Sequence, residues 1–323
     1  MNDVFTGGQQ RALLAVTVSL SAFSLVGTSL IVLSYLKFVK LRTFSFSLVF
    51  YMSIADMGAL ISYMFGSPKG GAFCTIQGFV QQLFELSSFA WSTIIAYTLY
   101  RAVVKLQDSK PLLPYYYLFG YGIPLLCAFI PLATSSYVNT GAWCWISNEQ
   151  TIGQVLRWLL FYGPLWGCIS FNAYISFITT KKMRDMFSTR EKDMPDKYKA
   201  LIKRLSLYPL ILVVCWLWAT VNRFQNAVSP GNEIFWMYLL MTLFRSLQGL
   251  LNCIAYGLQP GVRRCWIEWL SNRPRTGWIV DSLRPQDNLQ EEMEEEEEGY
   301  DGGDGAGGVF EAKEELDDEN TML

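Results

Sequence analysis

Residues 11–36 read RALLAVTVSLSAFSLVGTSLIVLSYL, an apolar run with no charge after Arg11. A bilayer core about 30 Å thick needs roughly 20 apolar residues per helical crossing, so this run predicts a membrane-spanning helix. It exceeds the apolar core of a secretory signal, about 7 to 15 residues, and contains no small-residue cleavage site. We therefore expect it to be retained. Comparable segments follow at 44–65, 75–104, 114–134, 153–180, 205–226 and 234–258.

The composition agrees with a membrane class of protein. Of the 323 residues, 51% are hydrophobic and 17% are charged, against about a quarter charged in a soluble domain. The predicted fold class is therefore all-α: a seven-transmembrane helix bundle over 11–258, preceded by a short extracellular N-terminus at 1–10.

Residue types that enzymes and metal sites commonly use are scarce. The chain has no histidine, which removes the commonest metal ligand and the usual proton-transfer group near neutral pH. Its seven cysteines include no CxxC pair. We expect no catalytic site, no metal, no cofactor and no nucleic-acid polymer as a partner.

Lysine and arginine fall mainly on one side of the predicted bundle. The other side carries only Arg11, Lys69, Arg157 and Arg223 near its spans. Cytosolic loops attract basic residues, so the N-terminus is predicted outside and the C-terminus in the cytosol of a multi-pass protein, with the plasma membrane expected. The residues on the basic side are Lys37, Lys40, Arg42, Lys105, Lys110, Lys181, Lys182, Arg184, Arg190, Lys192, Lys197, Lys199, Lys203, Arg204, Arg263, Arg264, Arg273 and Arg275.

The segment after the last span is amphipathic. Val262, Cys265, Trp266, Trp269 and Leu270 recur at helical spacing. We predict a helix at 259–271 on the cytosolic membrane surface, with a solvated tail as the alternative. Cys265 then either carries a lipid or packs as a buried thiol. Residues 272–323, which include an acidic run at 291–298 and a Gly-rich stretch, are predicted to be a disordered cytosolic tail.

Two cysteines are predicted on the oxidising side. Cys74 falls at the outer end of helix 3, and Cys144 falls in the outer loop between helices 4 and 5. Disulfides persist in such a compartment, so we expect a Cys74–Cys144 bridge, the alternative being two unpaired thiols.

Three ionisable residues lie deep within predicted spans: Asp56, Glu85 and Arg245. Such residues are costly in hydrocarbon and mark pairing or function. Glu85 follows Cys74 by 11 residues and Arg245 follows Ile234 by 11, which places both about 16 Å deep. Glu85 and Arg245 are thus predicted either to pair across the bundle, or to face water separately, with Arg245 also a candidate for binding an anionic ligand.

Features at the cytosolic side leave alternatives open. Arg101 ends helix 3, where it either extends to headgroups or controls access to the cytosolic cavity. The basic stretch between helices 5 and 6 either docks an acidic partner or only follows the positive-inside rule. Pro124, Pro131, Pro164 and Pro209 each favour a bend in a spanning helix.

Six separated motifs, in order, carry a family resemblance. The chain resembles the plant and algal G-protein-coupled receptors related to the slime-mould cyclic AMP receptors, over about residues 11–270. The motifs are KLRTFSFSLVFY at 40–51, SIADM at 53–57, WCW at 143–145, FYGPLWG at 161–167, YPLIL at 208–212 and LNCIAYG at 251–257.

The resemblance implies a receptor that passes an extracellular small-molecule signal to the alpha subunit of a heterotrimeric G protein or a similar cytosolic effector. Under this resemblance, Asp56, the Cys74 and Cys144 pair and the segment at 252–257 match positions of the family's pattern. A cyclic nucleotide is one ligand that it raises, and an anion of this kind would need a guanidinium such as Arg157, Arg223 or Arg245.

The chain departs from the largest receptor class at two positions. Helix 3 has no Asp-Arg-Tyr triplet and helix 7 has no Asn-Pro-x-x-Tyr motif. Arg101 and the pair Asn252 and Tyr256 only approximate those switches.

Rival functions fit the sequence less well. A retinal protein needs a lysine in helix 7, and 234–258 contains none. A transporter or channel usually shows repeated halves and several charges along a path, which are not found. That rival and a membrane scaffold that couples to nothing remain alternatives. Membrane lipids are an expected partner in every case.

Overall fold

The computed structural model describes residues 5–66, 68, 70–140, 143–147, 151–186, 196–229, 232, 234–257 and 260–271, without the side chains of 186, 196–209 and 256–260. This part of the chain is predominantly helical, as the sequence predicts. The helices are α1 (Gly7–Lys37), α2 (Phe44–Met64), α3 (Gly71–Val104), α4 (Leu113–Tyr117, Leu118–Gly122 and Ile123–Ala133 in succession), α5 (Thr151–Arg157, Trp158–Tyr162 and Gly163–Met186), α6 (Asp196–Val228), α7 (Phe235–Asn252 continued by Cys253–Gly257) and α8 (Pro260–Ser271).

Short polar caps fix where the first helices begin. Thr6 and Gln9 form a reciprocal capping box at the start of α1, and Thr43 accepts from the N–H of Phe46 at the start of α2. Each cap satisfies a backbone donor that the first helical turn leaves free. The Val39–Leu41 and Lys110–Leu112 segments are single 3₁₀ turns before α2 and α4.

Wide π-helical turns interrupt α4 and α5 just before a proline. The N–H of Ile123 donates to the carbonyl of Leu118, ahead of Pro124, and the N–H of Gly163 donates to that of Trp158, ahead of Pro164. Proline lacks an N–H and its ring crowds the preceding turn, so a widened turn relieves the conflict. Pro209 lies in α6, where its side chain is outside the described residues.

The side-chain distribution is that of a protein surrounded by lipid. Four helical stretches are long and apolar enough to cross a membrane, judged by length and composition over the described residues: Gly7–Lys37, Phe44–Met64, Lys110–Ala133 and Phe235–Ala255. Phe23, Leu126 and Phe177 point outward with about two thirds of their surface exposed, whereas Ser21 and Ser24 of α1 are fully buried. Apolar residues outside and polar residues inside invert the pattern of a water-soluble bundle.

Helix α3 lies at the centre and is buried along most of its length. Its inner face carries glutamines, a glutamate and serines rather than a continuous apolar run. Beneath these, Trp91 and Phe89 are fully buried, and α4 approaches Trp91 at Gly120, where a Cβ would come within 2.5 Å of the indole. The sequence places a span here, and its polar residues are accommodated because they face other helices rather than lipid.

A two-stranded hairpin, which the sequence does not predict, covers the end of the bundle at which α3 begins. Strand β1 (Tyr137–Asn139) pairs antiparallel with β2 (Cys144–Ile146), with Val138 opposite Trp145. The Cys74–Cys144 disulfide is present and ties β2 to the start of α3, confirming that prediction. Tyr137 packs on Gly78 of α3, and burial raises the pKa of its phenol. The hairpin is therefore anchored to the central helix.

The last helix, α8, falls on the predicted amphipathic segment. Val262 and Cys265 are buried, and burial raises the pKa of the Cys265 thiol. Because thiolate is the reactive form, this placement favours the packed thiol over the lipidated one. The predicted disordered tail at 272–323, and most of the basic stretch between α5 and α6, lie outside the described residues.

We expect Cys144→Ser to remove the shift in electrophoretic mobility that a reducing agent causes and to lower the melting temperature. Loss of a native disulfide costs about 2–5 kcal/mol in small secreted domains. Cys127→Ser, which removes a half-buried free thiol, is the matched control and should change neither measurement. A mobility shift that persists in Cys144→Ser would contradict the bridge.

Candidate functional site

Three side chains from α2, α3 and α7 form a charged cluster in the half of the bundle that lies under the hairpin. Nη1 of Arg245 lies 3.6 Å from Oε1 of Glu85, and both side chains are at most 5% exposed. The hydroxyl of Tyr63 donates to the same glutamate oxygen. The guanidinium lies 4.0 Å from the ring centroid of Tyr63 and 4.3 Å from that of Trp143. The structure thus brings together the two charged residues that sequence depth alone places at one level.

This charged cluster is only partly satisfied. Oε2 of Glu85 and Nε of Arg245 are buried and have no hydrogen-bond partner among the described residues. An unpaired polar atom inside a low-dielectric interior costs free energy unless water or a ligand meets it. The cluster therefore offers one acceptor and one donor to a further molecule.

A second polar layer lies about one helical turn deeper and is fully connected. The hydroxyl of Ser88 donates to Oδ1 of Asp56 at 2.6 Å, and Nδ2 of Asn252 donates to Oδ2 at 2.9 Å. Gln248 donates to Ser88 at 2.9 Å and accepts from the indole N–H of Trp216 at 2.5 Å. This layer joins α2, α3, α6 and α7 through hydrogen bonds.

A cavity of about 10 Å³ separates the two layers. Asp56 and Gln248 line it from below, and Tyr63, Glu85 and Arg245 line it from above. That volume is about what one water molecule requires, and the lining is polar enough to hold one. The charged cluster, which we call the upper layer, and the second polar layer, the lower one, therefore line the same cavity. A side chain that moves in the upper layer can act directly on the lower layer.

The hairpin forms the roof of the site. Gln77 of α3 accepts from the N–H of Cys144 at 3.1 Å and donates to the carbonyls of Ser62 and Gly66. Trp145 donates to Gln82 of α3 at 2.9 Å. These bonds hold both indoles of the Trp143-Cys144-Trp145 motif over the interior.

The remaining two candidate arginines have different surroundings. Arg157 of α5 is buried and donates through Nε and Nη2 to the carbonyl of Ile146, so it supports the second hairpin strand. Arg223 of α6 is also buried, and its guanidinium lies 5.6 Å from the ring centroids of both Trp145 and Tyr238. Its guanidinium meets the hydroxyl of Tyr238, at 3.4 Å, and that of Tyr162, and its Nε has no partner among the described residues.

Further unpartnered polar atoms occur on α3, α6 and α7. Both amide atoms of Gln81, the amide oxygen of Asn226 and the hydroxyl of Thr242 are buried without a partner in the part of the chain that the structure describes. Each lies about one helical turn nearer the hairpin than a charged residue of its own helix: Gln81 than Glu85, Asn226 than Arg223, and Thr242 than Arg245. Together with Arg223, Arg245 and Glu85, these atoms outline a candidate ligand site under the hairpin.

Three sequence candidates lie away from this site. Nη2 of Arg101 donates to the carbonyl of Asp108 at 2.9 Å, so the arginine turns onto the loop after α3 rather than across the mouth of the bundle. Tyr256 falls in the π-helical end of α7, with its side chain outside the described residues. Cys265 lies on α8. Among the described residues no group of three or more His, Cys, Asp or Glu is placed to hold a metal ion.

Sequence reasoning missed the uncharged members of the site. Tyr63, Gln81, Trp216 and Gln248 were not selected because none carries a formal charge. The available signal was the spacing of glutamines on α3 and α7: Gln77, Gln81 and Glu85 recur every fourth residue, and Gln248 follows Arg245 by three. Residues so spaced share one helix face.

Comparison with known proteins gives a consistent result. A family model described as "Slime mold cyclic AMP receptor" matches residues 6–269. "G-protein coupled receptor 1" of Arabidopsis thaliana is 34% identical over 295 residues, covering 88% of this chain and 90% of the relative. "Cyclic AMP receptor-like protein A" of Dictyostelium discoideum is 28% identical over 250 residues, 77% of this chain and 65% of that relative, a little under two thirds of its length. "G-protein coupled receptor 157" of Homo sapiens is 27% identical over 278 residues, 77% of this chain and 80% of the relative.

We expect Glu85→Arg and Arg245→Glu each to destabilise the protein, because either leaves like charges buried side by side. Removing one partner of a buried pair costs about 3–5 kcal/mol. The double reversal should recover much of this loss, as measured by the melting temperature of the purified protein. A double variant no more stable than the worse single variant would contradict pairing.

We expect Gln248→Met and Trp216→Phe to be coupled, since each removes the same hydrogen bond between α6 and α7. A double-mutant cycle on unfolding free energy should give about 0.5–3 kcal/mol of interaction. The matched control pairs Trp216→Phe with Gln77→Met, whose amide bonds the hairpin and α2 instead. Those two effects should add.

Proposed function

The chain belongs to the slime mold cyclic AMP receptor family of G-protein-coupled receptors, and from that premise we propose that it passes the signal of a small extracellular molecule to a cytosolic heterotrimeric G protein. The proposal includes the membrane arrangement that such signalling needs. Helices α1 to α7 each cross the bilayer, the N-terminus is outside, and the C-terminus is in the cytosol of a cell whose plasma membrane holds the protein.

The distribution of polar groups supports seven crossings, although within the described residues four helical stretches are long and apolar enough to qualify. Helix α3 fails on hydropathy because its inner face is polar, yet that face is covered on all sides by other helices and the hairpin. Polar residues that face a bundle interior do not prevent crossing, because they are shielded from lipid. The excess of Lys and Arg at the ends opposite the hairpin supports the orientation.

The observation that carries the proposal is the group of buried, unpartnered polar atoms under the hairpin. A structural core satisfies its polar groups, whereas a binding site leaves them for a ligand. Glu85, Arg223, Arg245 and Gln81 each present such an atom. The ligand therefore binds between α3, α6 and α7, below Trp143 and Trp145.

Among the three candidate arginines, Arg223 is the one that best fits an anionic ligand group. Arg245 is already paired with Glu85, and Arg157 supports the backbone of β2. Arg223 instead meets the neutral hydroxyls of Tyr162 and Tyr238, and it lies 5.6 Å from the ring centroids of Trp145 and Tyr238. A guanidinium flanked by rings suits a phosphate beside a planar group, so a cyclic nucleotide, named in the Dictyostelium relatives, is the first ligand to test.

The connected polar layer supplies a route toward the cytosol. A ligand group that reaches Glu85 or Arg245 lies about one helical turn from Gln248. Gln248 in turn accepts a hydrogen bond from Trp216 of α6. Trp216 packs edge to face on Phe89 of α3, 4.9 Å between centroids. Occupation of the upper site thereby changes the restraint on α6, and the cytosolic end of the bundle presents the result to the G-protein alpha subunit.

We expect the full chain, reconstituted in lipid nanodiscs with a purified heterotrimeric G protein, to accelerate guanine-nucleotide exchange when cyclic AMP is added. Arg223→Gln should lower the affinity for labelled cyclic AMP roughly tenfold to hundredfold, since a hydrogen bond to a charged group contributes about 1.5–3 kcal/mol. Arg11→Gln, an exposed change at the outer end of α1, is the matched control.

Two outcomes would contradict different parts of the proposal. Exchange that no candidate ligand accelerates, with no nucleotide-sensitive co-purification of an alpha subunit, would favour a non-coupling membrane scaffold. Saturable binding that survives Arg223→Gln would show that the anion binds elsewhere.

A further inference from the structure

Helix α8 is fixed to the inner end of α1 by specific contacts. The indole N–H of Trp266 donates to the hydroxyl of Ser34 at 2.7 Å, and its ring packs edge to face on Phe38 with 5.4 Å between centroids. Both Ser34 and Trp266 are outside the site that the receptor function uses. The contacts hold α8 beside α1 at one position on the membrane surface.

Two tryptophans of α8 enclose a lysine of α1. Nζ of Lys37 lies 3.0 Å from the ring centroid of Trp269 and 5.2 Å from that of Trp266. Trp269 and Leu270 are more than half exposed, so an apolar edge of α8 remains open. Tryptophan rings favour the boundary between hydrocarbon and headgroups, which sets this cluster at headgroup depth.

Five exposed cationic residues at the end of α1, in the segment after it and on α8 form what we call the basic patch: Lys37, Lys40, Arg42, Arg263 and Arg264. Arg42 is folded back so that Nε donates to the carbonyl of Tyr35 at 3.2 Å and Nη2 to that of Leu36 at 2.7 Å. Lys40 is near enough to Cys265 for its charge to oppose the effect of burial on the pKa of that thiol. The patch is therefore contributed by two elements held against each other.

We propose that the basic patch binds the headgroup of an anionic phospholipid in the membrane leaflet that faces it, the cytosolic leaflet in the proposed orientation. The described residues of α8 carry one acidic side chain, Glu268, so the local charge is strongly positive. Clusters of this size beside a spanning helix attract anionic lipid. The headgroup binds Lys40, Arg42 and Arg263, while the acyl chains cover Trp269 and Leu270.

The neighbouring apolar edge favours a lipid over the acidic run at 291–298 of the same chain. A run of glutamates matches the charge of the patch and leaves the exposed tryptophan and leucine uncovered. An anionic phospholipid matches both features at once. Binding there would hold α8 on α1 and so brace the cytosolic end of the bundle.

The test titrates the detergent-solubilised full chain with a fluorescent phosphatidylserine, using fluorescent phosphatidylcholine as the neutral control. We expect saturable, salt-sensitive binding of phosphatidylserine only. Lys40→Gln combined with Arg263→Gln should weaken it roughly thirtyfold, because each cation near an anionic surface contributes about 1 kcal/mol and 1.4 kcal/mol is tenfold. Lys181→Gln combined with Lys182→Gln, exposed changes near the end of α5, should leave the affinity unchanged.

Three results would overturn the proposal. Equal affinity for the two lipids would remove the need for an anion. An equal loss of phosphatidylserine affinity in the Lys181 and Lys182 variant would show that the overall charge of that face, rather than the basic patch, attracts the lipid. The same comparison in a chain that lacks residues 286–323 distinguishes the lipid from the acidic run as the occupant. If Lys40→Gln combined with Arg263→Gln no longer weakens phosphatidylserine binding in the truncated chain, the patch binds the acidic run. If the loss of affinity is unchanged, the lipid is supported.

Discussion

The need to pair Arg245 inside the bundle constrains much of the half of this molecule that lies under the hairpin. An uncompensated buried guanidinium is costly, and the structure meets the cost with the carboxylate of Glu85 and the faces of two aromatic rings. These partners come from α2, α3 and the hairpin, whereas Arg245 itself is on α7. One buried charge therefore specifies how three helices and a covering loop are arranged around it.

The hairpin is as much a part of this arrangement as the helices are. The disulfide fixes one strand to α3, Gln77 adds hydrogen bonds at the same place, and Arg157 supports the far end of β2. Trp143 and Trp145 are thereby held over Arg245 and Arg223. A roof tethered over partly satisfied polar groups is the arrangement on which we base the proposed ligand site.

The two polar layers differ in a way that matters for signalling. The lower layer around Asp56 is connected by hydrogen bonds from four helices, whereas the upper layer retains unpaired atoms. In the function that we propose, a ligand that satisfies the upper layer gains free energy only in the arrangement that it completes, so its binding selects among helix arrangements. At the other end, the anionic lipid that we propose for the basic patch would hold α8 on α1 and brace that end of the bundle.

The sequence by itself determined the helices, the charge asymmetry between the two ends, the cysteine pair, the family and the common level of Glu85 and Arg245 along their helices. Apolar run length, charge asymmetry and helical rise are one-dimensional quantities, so they can be read along the chain. The hairpin, the different surroundings of Arg157, Arg223 and Arg245, and the contacts of Gln248 and Trp216 were decided only by the tertiary structure. Whether a buried arginine is paired, structural or available depends on which neighbours reach it in space, and the rotation of each helix about its own axis sets that. Local sequence does not specify that rotation, because packing against the other helices does.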